Sequence, residues 1–163
     1  MSSAKVKITT HEPDRLDELI DGEAVSEKAP PIRGGRTGSR AAVVQALYEA
    51  DSSGHPAVAA VKRLATERDL SDDDLDFATR LVRVCEKQRH ELDSRIAKIA
   101  SQYPTDQMPL VERNVLRVAM AELNMPDAAP QNVVANEAVE LARLFGSDSS
   151  PKFVNGVLGA LLA

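Results

Sequence analysis

One apolar seam constrains this chain more than any other feature. Leu75, Ala78, Val82, Cys85, Arg89, Leu92, Ile96, Ile99 and Tyr103 recur at alternating steps of three and four, the spacing of one helical face. The pattern lasts roughly seven turns at 3.6 residues per turn and stops at Pro104, whose ring cannot continue a helix. Upstream, Ser71 with Asp74 three residues later resembles a capping box with Asp for the usual Glu, and Asp72 and Asp73 suit the positive end of a helix dipole. The seam therefore predicts one long helix from Asp72 to Tyr103 that ties two sub-bundles together. Only Arg89 interrupts it, and that side chain reaches outward on its aliphatic stem.

The remaining segments read the same way. Ser39 is a cap candidate for the helix AAVVQALYEAD. Pro56 suits the first position of a helix through Arg68, with Ala57, Val61, Leu64 and Ala65 inward. Pro109 opens LVERNVLRVAMAELN, whose narrow polar strip of Glu112, Arg113 and Arg117 predicts the most buried helix. Val134, Ala138, Leu141 and Phe145 form one stripe that Gly146 closes as a left-handed cap. Pro151 begins a last helix with Phe153, Val154, Val157, Leu158, Leu161 and Leu162 on its apolar face. Aromatic residues make up only 3% of the chain, with no Trp, which favours packed helices over sheets. The prediction is an all-α fold of two small helical bundles, 36–103 and 104–163.

Residues 1–35 read as a disordered extension, because they mix charges with few large apolar residues and cannot offset the entropy of ordering. Leu16, Leu19 and Ile20 allow at most a marginal helix there. No apolar run approaches the roughly 20 residues a membrane helix needs, and no signal-peptide pattern opens the chain, so a cytoplasmic protein is expected. Cys85 has no disulfide partner in the chain, and no Cys or His cluster has metal-ligand spacing, so neither metal nor cofactor is expected. With no G-x-G-x-x-G loop and no second cysteine, an enzymatic role is not expected.

The net charge is −5, and residues 1–32 carry four basic against seven acidic groups, leaving −2 for the rest. Any nucleic-acid site must then be a local patch. Arg33, Arg36 and Arg40 stand among Gly34, Gly35 and Gly38 just before an apolar helix. Arginine at a helix N-terminus opposes the dipole. Composition alone leaves two readings open: solvated charges of a flexible loop, or forks that grip phosphates bidentately while glycines let the backbone follow the strand.

The string NEAVELARLFGSDSSPKFVNGVL, together with ERNVLRVAMAEL and the arginines before ALY, resembles the NusB family of bacterial transcription antitermination factors from about Arg36 onward. The resemblance implies a NusB-like helical fold and binding of boxA-type RNA in ribosomal RNA transcripts, together with the small-subunit ribosomal protein NusE, within the RNA polymerase antitermination complex. It implies RNA contacts at Arg33, Arg36 and Arg40, although Thr37, Gly38 and Ser39 replace part of the family's arginine-rich motif. Tyr48 is either core or a ring that stacks on an unpaired base. Lys152 is a phosphate ligand, and Phe153 is a core anchor or an RNA contact. Glu112 and Arg113 are implied at the NusE interface. Asn136, Glu137 and Glu140 read as caps and buried ties between helices, and Asn155-Gly156 as a close-packing point. The alternative is a helical self-association module whose homodimer hides the RNA face.

Overall fold

The computed structural model describes residues 34–101 and 107–163. The expected extension up to and including Arg33, together with Tyr103 and Pro104, lies outside the described residues, whereas Gly35, placed in that extension, begins a helix. Within them the chain forms seven helices and no strand: α1 (Gly35–Ser53), α2 (Ala57–Glu67), α3 (Asp72–Lys87), α4 (Arg89–Ile99), α5 (Leu110–Leu123), α6 (Gln131–Phe145) and α7 (Ser150–Leu162). Helices α1, α2 and α3 pack on one another, as do α5, α6 and α7. Both α1 and α3 also lie against α5, so one hydrophobic core runs through the molecule. As its narrow polar strip predicts, α5 is buried along most of its length.

The long seam is broken. Helices α3 and α4 meet at Gln88, whose φ of −100° and ψ of 15° leave the α-helical well, although Gln88 N–H still donates to Val84 O and Leu92 N–H to Gln88 O. Charge supplies the reason. A continuous helix would carry Arg89 along the buried seam, whereas at the break its side chain keeps 44% exposure and reaches Asp51 at 2.6 Å. Asn124 Nδ2 donates to Gln88 Oε1 at 2.7 Å and pins the turn. Phe77 and Leu81 widen the buried face beyond the predicted seam, while Ile99 on that seam stays 38% exposed.

Three local expectations need correction. Helix α1 begins at Gly35, not after Ser39, and Ser39 is fully buried inside it, donating to Gly35 O and Asp74 O. Gly146 ends α6 in extended rather than left-handed backbone. It is needed for space: a Cβ there would lie 2.8 Å from Ala142 O and press on Ser150. Gly156 has open space where close packing was expected. Ser71 does cap α3, accepting from Asp74 N–H at 3.1 Å. Replacing Gly146 by Ala is expected to cost about 1–3 kcal/mol, as overpacking against backbone does. A lowered urea midpoint at unchanged slope would show this, and an unchanged midpoint would mean that the Ser147–Ser150 turn yields freely.

Candidate functional site

Helices α1 and α5 run antiparallel, as two sets of polar ties show. Near the start of α1, Arg40 Nε and Nη2 donate to Glu122 of α5 at 2.7 and 2.8 Å, and Nη1 donates to Glu137 of α6 at 2.9 Å. Near its end, Asp51 accepts from Asn114 and Arg117 of α5 at 3.1 Å each. Between these ends every α1 residue from Gly38 to Leu47 is buried. The helix is a central strut with two accessible ends.

At the first end the two arginines have different fates. Arg40 is 6% exposed, with a complete bidentate fork on Glu122, itself 1% exposed. Burial disfavours the Arg40 cation, and the hydrogen bonds and charges of Glu122 and Glu137 outweigh that, raising its pKa above the ordinary value. Thr37 Oγ1 also donates to Glu137, at 2.7 Å. Arg36 instead keeps 39% of its side chain exposed, 2.7 Å from Asp74 and 3.2 Å from Asp73. Its guanidinium lies 4.5 Å from the centroid of buried Phe77, over which Arg40 and Arg80 also stand at 5.8 Å each. Cation–π attraction fixes the plane of Arg36 while leaving its outer edge accessible. Three arginines here meet six carboxylates, Asp73, Asp74, Asp76, Glu122, Asp127 and Glu137, so this corner is not a bare basic patch. Nor is the arginine segment a glycine-loosened loop, since all of it from Gly35 is helical.

At the second end α5 meets both the end of α1, where Tyr48 lies, and the start of α7. Tyr48 is half-buried and packs on the core. It sits twelve residues beyond Arg36 on α1, about 18 Å along the axis at 1.5 Å per residue. Glu112 belongs to no solvated strip: it is 5% exposed and accepts from Ser150 Oγ at 2.6 Å. Ser150 Oγ in turn accepts from Ser147 N–H at 2.9 Å. This chain of bonds sets the corner from which Lys152 projects exposed and Phe153 turns half-buried onto the core. Glu112 and Glu122 stand ten residues apart on α5, about 15 Å of rise. The Lys152 corner therefore lies at the opposite end of α5 from Arg40.

Beside it, Arg117 is 2% exposed and grips Asp93 at 2.7 and 2.8 Å as well as Asp51. Both carboxylates are thus committed to Arg117, Arg89 and Asn114. Arg113, half-buried one turn before Arg117, has a buried Nε with no hydrogen-bond partner among the described residues. Burial and the Arg117 charge push its pKa down. Asn136 and Glu140, read as caps and buried ties, are exposed, and Glu137 of that set makes a tie between helices. Glu122 escaped the sequence reading, although a carboxylate three residues after Ala119 and seven after Val115 stands on an apolar face and demands a cation.

No group of three or more His, Cys, Asp or Glu side chains able to hold a metal ion occurs among the described residues. None of the described helices is long and apolar enough to cross a membrane. Cys85 is buried, which pushes its thiol up to about 12 and leaves it unreactive.

A sequence model of the NusB family matches residues 37–163. The transcription antitermination protein NusB of Dehalococcoides mccartyi (strain CBDB1) is 42% identical over 126 residues, which cover 77% of this chain and 88% of the relative. The solved NusB of T. maritima is similar with a TM-score of 0.73 at 27% identity, over 79% of this chain and 91% of that one. A structure of antitermination factors NusB and NusE in complex with double-stranded RNA gives a TM-score of 0.69 at 31% identity, over 77% of this chain and 94% of its counterpart.

Proposed function

The chain belongs to the NusB family, and from that premise we propose that it binds boxA-type RNA of nascent ribosomal transcripts together with NusE. It is a transcription antitermination factor and not an enzyme. It works in the cytoplasm within the RNA polymerase antitermination complex. The observation that carries the partner assignment is the likeness to a chain solved with both NusE and RNA.

The proposed contacts divide between the two ends of α1. Within the described part of the arginine segment Arg36 serves as the phosphate ligand, held over Phe77 with one arm met by the exposed Asp73 carboxylate. Arg40 acts at one remove: its fork on Glu122 fixes the start of α1 against α5. Tyr48 and Lys152 serve the other end, one as a stacking ring and one as a point charge for phosphate, with Phe153 supporting the corner from the core side. The roughly 18 Å between the two ends matches about five stacked nucleotides at 3.4 Å each. Arg113 meets the protein partner, and Glu112 acts through Ser150, by holding the start of α7 in place.

Because the Arg36 corner is ringed by carboxylates and the chain is acidic overall, RNA affinity of the chain alone is weak and NusE completes the surface. A mobility-shift titration of boxA RNA tests this. Binding is expected to be weak with the chain alone and to tighten when NusE is added. Tight binding without NusE, or none with it, would refute the proposal.

A further inference from the structure

Two members of the acidic run Asp72-Asp73-Asp74 meet the arginine segment, and Asp73 and Asp74 hold Arg36 in different ways. Asp74 is set into the fold. Its N–H is capped by Ser71, its Oδ2 accepts from Ser71 Oγ at 3.1 Å, and its side chain is 17% exposed where Oδ1 takes Arg36 Nη1 at 2.7 Å. Asp73 Oδ2 meets the other arm, Nη2, at 3.2 Å, but the Asp73 side chain is 82% exposed and its backbone carbonyl leans on Nη1 at 3.4 Å. One arm of the guanidinium is therefore anchored and stacked on Phe77, and the other is met by an exposed carboxylate.

We propose that Asp73 occupies, in the free chain, the seat that an RNA phosphate takes on Arg36, so that Asp73 sets the threshold and ionic discrimination of RNA binding. The inference rests on the RNA-binding reading above. A phosphate oxygen replaces the Asp73 carboxylate on Nη2, while Asp74 and Phe77 keep the guanidinium in position. Losing so exposed a pair costs little, and a phosphate of a strand already held at other contacts supplies Nη2 with a charge-assisted bond in its place. Ligands with weak or isolated negative charge do not displace Asp73, so the exchange favours an oriented polyanion over generic anions.

The test is a double-mutant cycle on the full chain with NusE, read by fluorescence anisotropy of boxA RNA at low and high salt. Asp73→Asn is expected to tighten binding about two- to fivefold at low salt, the scale of one exposed pair, with the gain fading at high salt as the pair is screened. In an Arg36→Ala background the same substitution should gain nothing. Glu91→Gln, which removes one exposed charge elsewhere, measures the generic effect of net charge. A gain from Asp73→Asn that persists without Arg36, or that only equals that of Glu91→Gln, overturns the proposal. So does weaker binding by Asp73→Asn, which would make Asp73 a positioning group. Absence of RNA binding by the wild-type chain with NusE refutes the functional reading itself, so the two failures are distinguishable.

Discussion

Replacing Glu122 by Ala lowers the stability of the folded chain by about 3–5 kcal/mol, the cost of leaving one member of a buried ion pair without its partner. Arg40 loses both bonds of its fork and keeps the single ion pair to half-buried Glu137 at 2.9 Å, in a place where its side chain is 7% exposed. Water cannot substitute for a carboxylate there. Ala129 N–H, 3.5 Å from Glu122 Oε2, loses its acceptor too. Denaturant unfolding of the single variant measures the loss. A double replacement, Arg40→Met with Glu122→Leu, should recover much of it, because apolar groups of similar volume remove both charges together. If Glu122→Ala costs under 1 kcal/mol, the pair is solvated in solution and the assignment of Arg40 to the scaffold falls.

Arg117→Ala is the second large effect, expected at about 3 kcal/mol. This guanidinium joins α1 through Asp51, α4 through Asp93 and its own helix through Asn114 Oδ1 at 2.9 Å. Removing it leaves Asp51, whose side chain is 8% exposed, with Arg89 and Asn114. The pH dependence follows. Burial raises the Asp51 pKa, but hydrogen bonds from Asn114 and Arg89 and the Arg117 charge prevail and hold it below the ordinary carboxylate value. A carboxyl whose folded pKa lies below its unfolded value of about 3.9 contributes fully above that value and loses its contribution as pH falls through the folded pKa. Acid unfolding of Arg117→Ala, followed by circular dichroism, should therefore begin at higher pH than in the wild-type chain. An unshifted acid transition would mean that Arg89 and Asn114 suffice for Asp51.

Helix positions were legible in the sequence wherever a single face decides them. Val134, Ala138, Leu141 and Phe145 are all buried as their spacing predicts, because burial of one stripe is a local property of period and composition. What local pattern could not reveal was long-range polar pairing. Arg40 meets Glu122 across 82 residues, and nothing near Arg40 distinguishes it from Arg36, which stays accessible. The same limit explains the break at Gln88, where Arg89 turns toward Asp51, 38 residues earlier. Ser39 misled for another reason: a hydroxyl before an apolar run looks like a cap, yet here it lies inside the helix and bonds across to Asp74 O. For the proposed interface, the sequence singled out the arginine segment and the Lys152 corner. It did not show that the buried middle of α1 separates them.

The central claim is that Arg36, and not Arg40, touches RNA. The most direct measurement is the salt dependence of boxA binding, with NusE present, for the wild-type chain and Arg36→Ala, each confirmed folded by its melting transition. Loss of one phosphate contact should weaken binding about tenfold at low salt and reduce the slope of log affinity against log salt by about 1, while the melting transition registers separately the loss of the part-buried Asp74 pair. Equal affinity and equal slope in the two proteins would contradict the account.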